Sequence, residues 1–230
     1  MKAAIKPAWA SADAYLFDID GTLVNVRDGT HYHAFHGAVQ SVFGVDSDID
    51  GVPVHGSTDI AILRAVLRRQ GLRDCDFESR LPEAVAAMCA EVQAKAAALR
   101  PEICPAIPEL LERLRAKGKL LGVVSGNLET IGWLKLEVAG LRPRFAFGCF
   151  SDRLEEREQI FRQGIAEVQN RLGAAATTCV VGDTPSDISA AQAAGIPVIA
   201  VATGIFGAER LRACQPDVCV PCCSDLLACF

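Results

Sequence analysis

The sequence predicts an α/β fold, a Rossmann-like parallel sheet with helices on both faces and an inserted α-helical cap. Three observations carry this. Apolar runs of strand length alternate with longer stretches of helical period over most of the 230 residues, the pattern of consecutive βα units. One segment, 25–99, breaks the alternation with helical patterns and almost no strand run. The composition, 50% hydrophobic and 22% charged, is that of a globular chain, which at this length buries about 70% of its unfolded surface. Disordered, collagen-like and coiled-coil architectures are excluded.

The first strand is expected at 15–17. Candidate helices follow at 31–43, 58–70 and 81–99, the last rich in alanine, the strongest helix former. An all-helical block set into an α/β chain reads as a cap of 25–99 on a core made of 1–24 and 100–230. The core then resumes with strands at 120–124, 145–147, 179–181, 198–201 and 218–220. Helices at 107–116, 129–139, 154–172, 185–194 and 208–213 alternate with them. The longest uncharged stretch, 188–208, has the length of a membrane span, but Gly195-Ile196-Pro197 breaks it into helix, turn and strand.

The net charge of -5, with no run of like charges, offers no footprint for a nucleic acid backbone or an anionic bilayer, so neither is expected as a partner. Lys2 and Lys6 lead only to a short segment holding Pro7, Ser11 and Asp13 rather than to an apolar leader, so the expected compartment is the cytoplasm, where thiols stay reduced. Ten cysteines are present, five of them at Cys214, Cys219, Cys222, Cys223 and Cys229. One CxxC-type spacing with no second pair is a weak zinc signal, and these thiols are expected as small buried hydrophobes.

Chemistry concentrates at three strand ends. Asp18 and Asp20 close the first strand in the string FDIDGTL, and Gly21 permits the sharp turn that brings two alternating side chains onto one site. Asp183 ends a later strand in VVGDTPSD, with Asp187 in the first turn of the next helix. Carboxylates at a second strand end facing Asp18 would suit Mg2+, which takes oxygen ligands. Between them Ser125, Gly126 and Asn127 join a strand to a helix, where a hydroxyl and free helix-start amides make an anion site.

These motifs together resemble the haloacid dehalogenase superfamily of hydrolases, in its phosphatase branch with a helical cap of the phosphoglycolate phosphatase-like kind. Supporting matches are IPELLERLRAKG before the SGN motif and GSTD at 56–59. The resemblance implies that Asp18 is the nucleophile that attacks phosphorus and Asp20 the general acid and base. Mg2+ would sit among Asp18, the backbone carbonyl of Asp20 and Asp183, with Asp187 in support. Ser125, Gly126 and Asn127 would hold the phosphoryl oxygens.

The family commonly supplies a lysine between the second and last of these motifs. Lys135 is the only lysine after Gly126, and it falls too early, in the helix directly after Asn127. The cation is therefore expected at Arg157, chosen over Arg153 and Arg162 because it shares the helix face of Leu154, Phe161, Ile165 and Val168. A guanidinium on the face turned toward the sheet needs an anionic partner. Among Arg27, His31, His33, His36 and His55, which could line the cap's underside, the loop of His55, Gly56 and Ser57 is the expected substrate contact. The function expected is a Mg2+-dependent phosphatase acting on a small phosphorylated metabolite through an aspartyl-phosphate. A phosphomutase with the same site residues, or a non-catalytic metal- or ligand-binding protein, are the alternatives.

Overall fold

The computed structural model describes residues 7–230; residues 1–6, with Lys2 and Lys6, lie outside the described residues. In chain order the elements are α1 (Ala8–Ser11), β1 (Ala14–Phe17), β2 (Val24–Val26), α2 (Thr30–Phe43), α3 (Asp59–Arg69), α4 (Asp74–Phe77), α5 (Leu81–Ala94) and β3 (Pro101–Ile103). The alternating part follows as α6 (Ile107–Ala116), β4 (Leu120–Val124), α7 (Glu129–Val138), β5 (Phe147–Cys149), α8 (Arg157–Leu172), β6 (Thr178–Gly182), α9 (Pro185–Ala194), β7 (Val198–Val201), α10 (Ala208–Ala213) and β8 (Val218–Val220).

Six strands form one sheet in the order β5-β4-β1-β6-β7-β8, with every pairing parallel. Strand β1 is central, with Phe17 opposite Val123 on one side and Val181 on the other. Its four residues are all buried, because helices cover both faces. Alternation sorts them: Tyr15 and Phe17 pack with Ile107, Leu110, Leu111 and Leu114 of α6, whereas Ala14 and Leu16 pack with Phe161 and Val168 of α8 and Ile188 of α9.

Helices α2 to α5 lie between β2 and β3, which pair antiparallel with Val24 opposite Ile103. The chain thus leaves and re-enters the core through two adjacent strands. Asp28 ties them together, accepting the Thr30 N–H at 2.9 Å and the Arg100 N–H at 2.7 Å. The helices have their own apolar cluster, built around Phe35, Leu63, Phe77 and Met88, and it extends onto Leu128 and Ile131 at the start of α7.

Several boundaries differ from the sequence reading. Strand β5 is Phe147–Cys149 rather than 145–147, because Phe145 leaves the turn before it to pack edge-on against Phe17, and sheet pairing begins at Phe147 opposite Gly122. Helix α8 starts at Arg157 rather than 154, since a turn closed by the Leu154 N–H on the Ser151 carbonyl precedes it. Helix α5 ends at Ala94 and gives way to a 3-10 turn over Ala96–Ala98, as Pro101 forces the chain out of helical conformation just beyond. Strands β2 and β3, three residues each, are too short to show a period. Of the five tail cysteines only Cys223 is fully buried; Cys214, Cys219, Cys222 and Cys229 are half-buried at the sheet's last edge, where fewer neighbours cover them. The uncharged stretch 188–208 spans parts of α9, all of β7 and the loop after it, and no described helix is long and apolar enough to cross a membrane.

Candidate active site

Because β1 lies between β4 and β6, the loops leaving their carboxyl ends are neighbours, and this is where the strand order switches direction. Asp18 follows β1 directly, its N–H donating to the Val181 carbonyl at 3.0 Å. The Ile19 carbonyl then accepts the N–H groups of Leu23 at 2.9 Å and Val24 at 3.0 Å, closing a tight turn through Gly21 at φ +85°. That turn carries Asp20 round to the side of Asp18. A side chain at Gly21 would overlap the Asp183 carboxylate, so both conformation and space require glycine there.

Oxygens of Asp18, Asp183 and Asp187 all lie within 4.8 Å of one another, and the three residues are 4%, 2% and 0% exposed. Among the described residues no other group of acids, cysteines or histidines gathers this way. Asp183 Oδ1 accepts the Thr22 hydroxyl at 3.1 Å. Asp187 is more heavily engaged: its Oδ2 accepts the Thr184 N–H and hydroxyl at 3.0 and 2.7 Å, and the Thr184 hydroxyl accepts the Asp187 N–H in return. This capping box starts α9 and fixes Asp187. Burial, with the neighbouring carboxylates adding to it, raises the Asp18 and Asp183 carboxyls well above the usual range.

The one cation inside this group is Arg157, the first residue of α8, 8% exposed. Its Nε donates to Asp187 Oδ1 at 2.8 Å, while Nη2 stands 2.9 Å from Asp18 Oδ1 and 2.7 Å from Asp187 Oδ1. The Nη2 hydrogens are aligned with neither oxygen, which leaves a buried donor unsatisfied. Arg153 is exposed, and Arg162 pairs with Glu158 on the outside of α8. Leu154, read as part of the Arg157 face, lies before the helix; the buried face is Arg157, Ile160, Phe161, Gly164 and Val168.

On the other side, Ser125 and Asn127 are buried after β4. The Ser125 hydroxyl accepts the Asn127 amide at 2.8 Å, and the Ser125 N–H is taken by Cys149 O. The Gly126 N–H has no partner among the described residues. Asn127 departs from a simple anion-holding role, because its side-chain amide donates to Asp20 Oδ2 at 2.7 Å. Gly126 lies under the chain at Ser57 and beside Arg157 Nη1, with no room for a side chain.

Sequence reasoning set Lys135 aside, yet the structure buries it in this site. Its ammonium donates to both oxygens of Asp20 at 2.9 and 2.7 Å, to Asn127 Oδ1 at 2.8 Å, and lies 3.2 Å from His31 Nδ1. His31 in turn meets Asp59 Oδ2 at 3.1 Å. Burial alone would raise the Asp20 carboxyl, but Lys135 and the Asn127 amide outweigh it and hold it below the usual range. A signal existed in the sequence, since Leu128, Ile131 and Lys135 share one helical face and a lysine on an apolar stripe asks for a partner.

Asp18, Asp20, Ser125, Gly126, Asn127, Lys135, Arg157 and Asp183 line one cavity of about 420 Å³ between the sheet ends and the inserted helices, while Asp187, fully buried, stands behind it. Its helical-side wall carries Phe35, Ile49, Val54 and Ile62, together with Arg27, His31, His55, Gly56 and Ser57. Gly56 packs on the side chains of Thr184 and Ser186. His33 does not reach the cavity, and His36 is turned away to the Ser47 carbonyl.

A parallel sheet with an acidic cluster at the ends of its central strands, closed over by helices inserted after the first strand, defines a class of α/β hydrolases. Residues 15–201 match the family model for the haloacid dehalogenase-like hydrolases, and the chain belongs to that family. It is 28% identical over 221 residues to the "probable phosphatase IndB" of Dickeya dadantii, covering 92% of this chain and 90% of that one. It is likewise 28% identical over 222 residues to a phosphoglycolate phosphatase of Synechococcus elongatus, covering 93% and 95%. Among solved structures, CbbY of Rhodobacter sphaeroides in complex with phosphate superposes with a TM-score of 0.73 at 20% identity, covering 94% of this chain and 96% of that one, and shares the fold. The chain is thus a hydrolase of that family, and both the Dickeya and the Synechococcus relatives, matched over nearly their full length, are named as phosphatases.

Proposed function

We propose that the protein is a cytoplasmic, Mg2+-dependent phosphatase that hydrolyses a small phosphorylated metabolite through an aspartyl-phosphate on Asp18. The observation that carries this is a buried charge imbalance: three carboxylates, Asp18, Asp183 and Asp187, against the single guanidinium of Arg157, beside an open cavity. An all-oxygen donor set with excess negative charge fits a hard divalent cation. Asp18 and Asp183, with the Asp20 carbonyl, would hold it, and Asp187, occupied by Arg157 and Thr184, would support it. When bound, the ion would offset the repulsion between the Asp18 carboxylate and the phosphate dianion.

The chain's own groups do the rest. Asp18 attacks phosphorus, and the ester oxygen leaves with a proton from Asp20 in its protonated form, the minor one while Lys135 and Asn127 hold that carboxyl below the usual range. Water then attacks the aspartyl-phosphate while Asp20 takes its proton, releasing phosphate and restoring Asp18. The unaligned donor of Arg157 and the free Gly126 N–H, both on the cavity that Asp18 lines, would donate to the transferred oxygens, with the Ser125 hydroxyl beside them and Asn127, whose amide donates to Asp20 and Ser125, in support. Residues 25–99 act as the cap, and His55, Gly56 and Ser57 present its substrate-facing loop. The cytoplasmic placement is supported by the buried thiols of Cys104, Cys149, Cys179 and Cys223, none of them in a disulfide.

Phosphate release from a panel of phosphorylated metabolites, with Mg2+ and with chelator, tests the reading. Wild type should turn over only with the metal. Asp18→Asn should lose several orders of magnitude while keeping its fold, because an amide cannot attack phosphorus. Substantial residual activity in purified Asp18→Asn would remove Asp18 as nucleophile.

A further inference from the structure

We propose that Lys135 is a positioning residue that aims the Asp20 carboxylate at the leaving group and, through His31, ties that aim to the seating of the helical cap. This deepens the phosphatase reading and rests on it for the role of Asp20.

An ammonium has three donors, and Lys135 places them on Asp20, Asn127 Oδ1 and His31 Nδ1. None is left for a phosphoryl group, so Lys135 does not duplicate Arg157, which is the cation against Asp18. Its side chain is 3% exposed, whereas that of Asp20 is 43% exposed. Lys135 thus holds both oxygens of the Asp20 carboxylate and Asn127 holds Oδ2, while the rest of the side chain's exposed surface lies on the cavity. The acid of the first step is the base of the second, and in both it must stand within hydrogen-bond reach of the oxygen it serves, so fixing the Asp20 side chain in place supplies the geometry that both steps need.

The third donor leaves the core. His31 lies on α2, and as acceptor for Lys135 at Nδ1 it carries its own hydrogen on Nε2, which faces Asp59 Oδ2 of α3. Asp59 Oδ2 also accepts the Leu128 N–H at 2.8 Å, and the Asp59 N–H donates to the Gly126 carbonyl at 2.7 Å. The His31 ring stacks on Phe35, 5.2 Å between centroids. Two cap helices, the loop after β4 and the start of α7 are thus closed into one hydrogen-bonded circuit. Its core end is the carboxylate of Asp20. If the cap lifts, the Lys135 ammonium loses its third partner and Asp59 leaves two core backbone groups, so the aimed state of Asp20 and the seated cap favour each other.

The test compares wild type, Lys135→Met, Asp20→Asn and the double variant on an alkyl and an aryl phosphate. Lys135→Met keeps the length of the buried chain. It should lower kcat for the alkyl ester by at least about tenfold, with a smaller loss for the aryl ester, whose leaving group needs less protonation. KM should change less than kcat. In the Asp20→Asn background the same substitution should add less than about twofold, because the carboxylate it aims is gone. Hydrogen–deuterium exchange of the proteins without substrate gives a second readout: backbone amides of α2 should exchange faster in Lys135→Met, and also in His31→Phe, which retains the stacking on Phe35.

Equal losses for both esters, or losses that multiply in the double variant, would make Lys135 merely structural and overturn the positioning role. Unchanged protection of α2 would overturn the link to the cap, whether or not the enzyme turns over. Absence of turnover by wild type on both esters and on the metabolite panel would instead overturn the phosphatase reading, and the role of Asp20 with it.

Discussion

At the scale of the residue, the site is governed by how few cations answer its carboxylates. Arg157 bridges Asp18 and Asp187, and its planar fork suits both carboxylate and phosphate oxygens. Arg157→Ala should lower turnover at least about tenfold, roughly one charge-assisted contact. Arg157→Lys should recover part of that loss, since charge survives while the fork does not. Arg162→Ala should change little, because Arg162 pairs on the exposed side of α8. A loss for Arg162→Ala as large as for Arg157→Ala would disconnect the effect from Asp18. Gly204 is a second sensitive position, where a methyl group would overlap the Asp183 carboxylate. Gly204→Ala should raise the Mg2+ concentration that gives half-maximal activity; an unchanged metal requirement would show that Asp183 takes no part in holding the ion.

At the scale of the element, helix α8 both delivers Arg157 and seals one face of the sheet. It packs close because Gly164 faces β4 and β1: a Cβ there would stand 2.8 Å from Val124 and 2.9 Å from Leu16. Ile160, Phe161 and Val168 fill the space on either side. Gly164→Leu should therefore destabilise the fold by about 1–3 kcal/mol through overpacking, read as a lower urea midpoint with an unchanged m-value. Moving α8 off the sheet also moves Arg157, so activity should fall further than that of an equally destabilised variant remote from α8. A Gly164→Leu protein with wild-type midpoint would mean that the helix and sheet are not held at this distance.

At the scale of the whole molecule, the two strands β2 and β3 suspend a helical body over a sheet whose central loops concentrate negative charge. Asp18 and Asp183 have folded-state pKa values raised to about 7 and about 9, so between about pH 5 and pH 9 these two groups hold protons in the folded protein that they have lost in the unfolded chain. Stability of the metal-free protein should accordingly fall as pH rises, and a divalent cation should offset that fall. Thermal unfolding in chelator at about pH 5 and pH 8 should give the lower Tm at the higher pH, with Mg2+ raising Tm more at pH 8. A Tm indifferent to Mg2+ at both values would remove the acidic cluster as a cation site.

The short-range part of this architecture is legible in the chain itself. Strand, turn and helix follow one another within a few residues, so periodicity placed Asp18, Asp20 and Asp183 at strand ends, Asp187 in the first turn of the helix that follows, and Arg157 on the buried side of its helix. The same reasoning applied to α7 would have brought in Lys135, whose stripe with Leu128 and Ile131 is equally plain. Which strand ends become neighbours was decided only by the sheet order, which sets β4 and β6 on either side of β1. The circuit from Asp20 through Lys135 to His31 and Asp59 joins residues 115, 104 and 28 positions apart. No local pattern encodes such contacts: Asp20 meets Lys135 only when α7 packs against the core, and His31 and Asp59 join them only when the inserted helices dock, which removes the buried ammonium's alternatives in water.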